Sequence, residues 1–429
     1  MSDATNSPQD PVEAAAQPDA TLAAADLLDE RLIQSQGVGG YLRLQANRLR
    51  SGDLGSLPVI IGLIVISIGF YAKEPVFLSS RNLVSITQFA APIGVISLGI
   101  VLVLLLGEID LSVGSVSGVT AAVMAVQVVK HSHSEVFGIL AGLAVGLVIG
   151  LLYGFLYTRL GVPSFVFSLA GLLGFQGLLL YVLGDTGTIN LHFDSFLVDF
   201  ARTRFVSDGA SYVLVLIAVV AYVGAQLWNA RARQAAGLST PWAPIVAVKA
   251  AALAIGLGWL TYYVNIDRGF TYLWVFFVLL VLVMHFALKR TTWGRHVYAV
   301  GGNVEAARRS GIKVDRVYFS VFALTSLLAA VGGLLAAGLQ TSVSQASGTT
   351  DTNLTAIAAA VIGGTSLFGG RGSAFSALLG ILVLQAISNG LNLIHVDSDV
   401  RFMVTGAVLL IAVAIDSVSR RARSSSGRG

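Results

Sequence analysis

The sequence predicts an all-α integral membrane protein of about 12 transmembrane helices, each of the length a bilayer demands, with N- and C-termini cytoplasmic. Three observations predict it. Of the 429 residues, 55% are hydrophobic and only 12% charged. That charged share is about half of what soluble domains carry. Mean hydropathy is +0.79, and a chain so poor in charge must meet lipid rather than water. The 47 glycines fit helices that approach closely or break within a membrane.

The elements follow in order. Residues 1 to 30 are rich in Ala, Asp, Pro and Gln and have no apolar run, so they read as a disordered tail. No positive start followed by an apolar stretch marks a signal peptide. A short amphipathic helix is expected over 32–50. Residues 1–56 thus form a cytoplasmic N-terminal tail. Apolar spans are expected near 57–72, 83–106, 113–129, 136–158, 164–183, 211–228, 244–264, 271–288, 316–340, 354–368, 374–393 and 401–417. Spans 57–72 and 354–368 fall short of a full crossing and can be re-entrant. Residues 419–429 form a basic cytoplasmic tail.

Orientation comes from Lys and Arg in short loops. Alternating from a cytoplasmic N-terminus puts Arg43, Arg48, Arg50, Arg159, Arg231, Arg233, the cluster from Lys289 to Arg316, Arg371, Arg420, Arg421 and Arg423 inside. Lys73, Arg81, Lys130, Arg202, Arg204 and Arg268 fall outside. The outer loop near 185–210, with Asp185, Asp194, Asp199 and Asp208, is long enough for a small external ledge.

Between two spans, Thr291–Arg316 is the richest polar segment. Asn303 is placed to cap a short helix. Glu305 in its first turn and Arg308 and Arg309 in its last complement the helix dipole, and Gly311 suits a left-handed stop. A well-terminated helix on the membrane surface and an ordinary basic loop are equally compatible with this pattern.

Glu108 and Asp110 lie in Gly107–Ser115, between two apolar runs. Carboxylates near membrane depth are costly and usually functional. Ser112, Gly114 and Ser115 allow a broken helix facing a cavity. A simple count of spans puts the segment at the cytoplasmic edge, where Asp110 and Ser112 would only cap the next helix. Both readings stand. Gly138, Gly142, Gly146, Gly150 and Gly154 recur every fourth residue, a face for close helix packing within the chain or against a second copy. Val361–Ser373, rich in Gly, Ser and Thr between two apolar spans, reads as a tight turn or unwound backbone, or as a flexible inside turn. Asn389 and Asn392 sit in an apolar span, where amides link helices or bond a polar solute.

Enzyme signals are weak. None of the five lysines follows a glycine, so a phosphate-binding P-loop is missing. No His-Glu-x-x-His occurs, and the six histidines are scattered. The absence of cysteine removes disulfides, thiolate metal sites and a Cys nucleophile. Neither catalytic residues nor a metal site are expected. No basic patch with interleaved aromatics points to nucleic acid.

Asn303–Gly311, preceded by Gly301-Gly302, resembles the coupling segment of the ribose/xylose-type ABC permeases. Glu108–Ser115 is similar to that family's second signature. Ribose-type members usually have Gly where this chain has Glu108, and Glu is more like the xylose branch. Val162-Pro163-Ser164-Phe165, Leu169-Ala170-Gly171 and Val361–Leu367 are similar to the same branch. The resemblance covers residues 57–418, a transmembrane permease domain with a type II ABC importer-like bundle. It implies that 289–316 is a cytoplasmic coupling segment docking into an ATPase through Gly302, Asn303, Glu305, Ala306, Ala307, Arg308 and Gly311. Family members often have fewer crossings before that segment, so 211–264 looks like an added helical hairpin.

The function implied is import of a monosaccharide, a pentose such as xylose, across the bacterial plasma membrane. The implied partners are a cytoplasmic ATPase subunit carrying ATP-Mg, an extracytoplasmic sugar-binding protein and a second permease copy. No cofactor is expected in this chain. Glu108, Asp110, Ser112, Phe165, Asn389 and Asn392 are candidates for the path or its gate. Two rivals remain: a proton-coupled secondary sugar transporter, with Glu108 and Asp110 as its ionisable groups, and an amino-acid permease of the wider superfamily.

Overall fold

The computed structural model describes residues 57–235 and 243–408, with positions 410 and 414. The expected tails, with their arginines, and most of the last span beyond 408 lie outside the described residues. Among the described residues, nine helices are long and apolar enough to cross a membrane. The chain is a multi-pass, all-helical membrane protein with one small addition, a pair of three-residue strands.

Helix α1 (Leu57–Lys73) is one of two shorter apolar helices. α2 (Ser80–Leu105) starts where the Ser79 hydroxyl accepts from the Asn82 amide. α3 (Val113–Ala125) continues through a π turn, Val126–Lys130. α4 (Glu135–Leu160) is capped by Ser134 and stopped by Gly161 at φ 66°. α5 spans Ser164–Leu183. The expected ledge follows. Its strand β1 (Thr188–Asn190) pairs antiparallel with β2 (Ser342–Ser344), Ile189 opposite Val343. A short turn at Phe196–Val198 donates two of its backbone N–H groups to a distant side chain: the Glu135 carboxylate accepts from Phe196 and Leu197 at 2.8 and 2.7 Å.

α6 (Asp208–Ala235) and α7 (Ala243–Asn265) come next. Residues 213–259 of this hairpin form a compact unit of their own. The rest belongs to the larger unit: α8 (Tyr272–Arg290), α9 (Thr292–Gly302), α10 (Val304–Arg309), α11 (Val314–Gln340), α12 (Thr350–Ile362), α13 (Ala374–Leu393) and a helix at 398–408.

α11 is the centre of the larger unit and lies against α2, α3 and α4. The glycine stripe of α4 explains how it gets so close. A side chain at Gly138 would strike Val128 and Met124; at Gly142, Thr120 and Leu334; at Gly146, Ala330; at Gly150, Phe322 and Ala323; at Gly154, Phe319. Of the two packing readings open to the stripe, the structure has the one within the chain. α13 covers the other side, against α1, α2, α8 and α12. There Asn82 and Asn389 exchange amide hydrogen bonds of 2.8 and 3.0 Å.

Two elements do not cross as simple helices. α11 has 27 residues and is about 40 Å long at 1.5 Å per residue. Its first end adjoins α10 and its last adjoins β2. Gly333 of α11 is pressed on the Ser117 backbone of α3, roughly 10 Å in from the β2 end. Gly114, a turn earlier in α3, therefore lies roughly 15 Å in, near half-depth. The opposite direction gives the same answer. Ser164, the first residue of α5, bonds Glu108, and Leu172 accepts from Ser115; eight residues of helix separate those levels by about 12 Å. Both α3 and α12 have 13 α-helical residues, about 20 Å each. Each begins inside the bundle after a non-helical approach, 106–112 for α3 and 345–349 for α12. Of the two readings open to 354–368, a half-length helix is the one found, and the segment 107–115 is not confined to an edge.

Candidate functional site

The polar segment after α8 folds as two helices rather than one. Thr291 caps α9 through the Gly294 amide at 3.2 Å. Asn303 is extended at φ −161° and accepts from the Ala306 amide at 2.9 Å, which starts α10. Glu305 and Arg308 pair at 3.0 Å in the open. Gly311, at φ 82°, ends the turn with nothing near it, so its glycine is required by backbone rather than space. Gly302, Asn303, Glu305, Ala306, Arg308 and Gly311 are all exposed. Ala307 is the correction to the expected docking set: it is buried in the core and anchors α10 instead of facing outward.

α9 rests on a glycine junction that sequence reading did not find. Gly301 packs directly on the Leu105 carbonyl and the Gly370 amide. Gly370 donates to that same carbonyl at 2.9 Å. A Cβ on Gly369 would meet Gly301 and Gly107. Gly107, Gly369 and Gly370 have φ of 80°, 85° and 70°, a region that glycine enters at little cost. Tyr298 of α9 also donates to the Gly372 carbonyl at 2.8 Å, with Lys289 4.6 Å from its ring centre. Burial pushes the Tyr298 phenol up, which keeps it a donor. α9 therefore touches both the end of α2, which leads into the approach to α3, and the exit from α12.

The approach to α3 carries the two carboxylates. Tyr157 donates to one Glu108 oxygen at 2.6 Å and Ser164 to the other at 2.5 Å. Asp110 is 1% exposed. One of its oxygens accepts from the Ser112 amide and hydroxyl at 2.8 and 2.7 Å, and the other has no partner. Tyr153 donates to the Ser112 hydroxyl at 2.8 Å. Tyr153 and Tyr157 lie four apart on α4, one turn, so a single helix face fixes both polar pairs.

Ser112 precedes α3 but makes no side-chain cap. The cap comes from far along the chain: Asn353 of α12 accepts from the Gly114 amide. Gly348 fits against Gly114 and Gly118. The remaining path candidates separate. Phe165 is 52% exposed beside buried Ser164. Asn392 is exposed and accepts from Arg401 at 3.4 Å. Asn389 is engaged with Asn82, which gives it the helix-linking role of the two open to an amide in a span. Tyr153, Tyr157, Ser164, Asn353 and the glycine junction were missed. The signals available were the tyrosine pair spaced four apart and the polar run at 344–353.

A family described as branched-chain amino acid transport system / permease component matches residues 82–413. The xylose transport system permease protein of Escherichia coli (strain K12) is 34% identical over 377 residues, 87% of this chain and 94% of that protein. The ribose import permease protein of Bacillus subtilis (strain 168) is 32% identical over 85% of this chain and 94% of its own length. The fructose import permease protein of Rhizobium meliloti is 30% identical over 86% and 88%. No solved structure matches the chain significantly.

Proposed function

The chain belongs to this family of transport-system permease components, and from that premise we propose that it is the translocating subunit of an ATP-binding cassette importer for a monosaccharide, a pentose such as xylose. The nearly full-length likeness to a xylose permease supports the substrate class. Glu108, in the position expected of the xylose branch, is held by Tyr157 and Ser164. The working assembly is a pair of permease copies in the plasma membrane, an extracytoplasmic sugar-binding protein, and ATPase subunits that carry ATP-Mg on the cytoplasmic side.

The observation that carries the mechanism is the seat of α9. The exposed Asn303–Gly311 turn is stiff, being capped at one end and closed by glycine at the other. The helix before it is wedged against Leu105 at the end of α2 and Gly370. Docking of an ATPase on α10 displaces α9, and α9 moves both broken elements together. Only a force that differs between two nucleotide states can drive such a change.

The test is co-purification of the ATPase subunit with the wild-type chain, Glu305→Ala and Asn303→Pro, with uptake of labelled xylose measured alongside. Asn303→Pro removes the cap that accepts from Ala306. We expect the ATPase to be lost about fivefold or more from this variant, since one cap contributes ~1 kcal/mol and the helix has few others. Glu305→Ala is expected to weaken it less. If no ATPase is retained by the wild type, and uptake collapses with the proton gradient at constant ATP, the importer reading fails.

A further inference from the structure

The chain between β2 and α12 is polar and irregular, yet it runs at membrane depth. From Ser344 it descends along α3, with Ser347 over Gly118 and Gly348 over Gly114. At half-depth α12 begins, and Asn353 joins the two helix starts by capping α3. Backbone of this kind is tolerated within a bilayer only when buried in protein or facing water. Here it is not buried: Asp351 is exposed, and Thr349, Thr352 and Thr355 are partly so. A carboxylate facing hydrocarbon at this level is strongly disfavoured.

The start of α12 is also short of partners. Thr349 makes no side-chain cap. Asn353 is 2% exposed, and its Nδ2, in the first turn of α12, has no hydrogen-bond partner. A second orphan, Asp110 Oδ2, is buried at the start of α3. A buried amide without a partner is rare in folded chains, and here it sits where two helix N-termini meet.

We propose that Asp351, Thr352 and Thr355, on one face of α12, form a mid-depth contact station of the translocation path, taking the hydroxyls of a neutral polyhydroxyl solute as it passes. Asp351 accepts from solute hydroxyls. The threonines both accept and donate. The uncapped N–H groups at the start of α12 donate. The station is one-sided, so it holds solute weakly and releases it. This rests on the permease reading, since it supplies the path for the same sugar. It also adds a site at the head of α12 that is distinct from the α10 docking face.

The chain has no cysteine, so single cysteines report without a background. In the assembled transporter, Thr352→Cys and Asp351→Cys are compared with Val148→Cys, on the 63% exposed outer face of α4. The probe is a charged, water-soluble methanethiosulfonate, which reacts with thiolate and therefore only where water reaches. We expect both α12 positions to react at least about tenfold faster than Val148→Cys, as a hydrated site and a lipid-facing one should. Excess xylose together with the binding protein should slow them. Asp351→Asn should keep more uptake than Asp351→Leu. Rates equal to that of Val148→Cys would overturn the station, even with ATP-driven uptake intact. Fast labelling with uptake that ignores ATP would count against the importer reading alone.

Discussion

Helix α4 and the two helices of the hairpin are equally plausible as membrane spans by hydropathy, yet they behave differently. Of an 18-residue apolar stretch of α4 a third is buried; of the same length in α6 and α7, 6% each. α4 carries a glycine every fourth residue and each one touches a neighbouring helix. In the hairpin, Gly224, Gly256 and Gly258 have open space around them. Lipid tails are as apolar as leucine, so greasiness cannot pull helices together inside a bilayer. What separates the two regions is shape: a small-residue face that lets backbones approach, against surfaces that remain available to lipid.

The largest effect should come from breaking that shape. Gly150→Leu puts a branched side chain where Phe322 and Ala323 of α11 already sit, 2.7 Å from an added Cβ. Overpacking of a tight contact costs about 1–3 kcal/mol or more, and this contact lies between backbones that cannot turn aside. We expect the yield of folded protein and its Tm in detergent to fall sharply. Gly256→Leu in α7 should leave both unchanged. An equal loss in the two variants would remove the distinction between the regions.

A smaller effect tests the second thing α4 does, which is to hold the acidic approach to α3. Tyr157→Phe deletes only the hydroxyl that donates to Glu108 at 2.6 Å. A hydrogen bond to a charged group contributes about 1.5–3 kcal/mol, and Ser164 still holds the other oxygen. The fold should survive with a modestly lower Tm, while uptake drops more than stability because Glu108 is released beside the glycine junction. Unchanged uptake would reduce Tyr157 to packing against Tyr318, 4.4 Å away.

Local features were legible in the sequence. The cap at Asn303, the left-handed stop at Gly311 and the packing face of α4 each depend on residues within a turn or two. Long-range features were not. Asn353 and Gly114 are 239 residues apart, and nothing in either neighbourhood announces that one caps the other. The glycine junction fails for the same reason: Gly107, Gly301 and Gly370 come from three separate segments. Asn389 shows the limit from another side. An amide within an apolar span signals a hydrogen bond, but its partner, Asn82, is fixed only by folding. Counting spans left 107–115 and 354–368 each open to two readings, because a count cannot tell a full crossing from a helix such as α3 or α12 that starts at half-depth.

The smallest effect sharpens the comparison most, because the chemistry is held constant. Ile149 of α4 is 5% exposed and Ile255 of α7 is 73% exposed. Truncating either to alanine removes the same atoms. In water the buried side chain would lose transfer free energy, but between lipid and protein interior that term nearly vanishes. What remains is the cavity left behind, part of the ~2–5 kcal/mol that such truncations cost in soluble cores. Ile149→Ala should therefore lower Tm measurably and Ile255→Ala should not. The contrast is read in one detergent with both single variants and the double. Additive behaviour, with the whole loss assigned to Ile149, is expected for sites that share no partner. A matching loss at Ile255 would mean that α7 has a packing partner in the assembled protein, and the hairpin would then belong with α4.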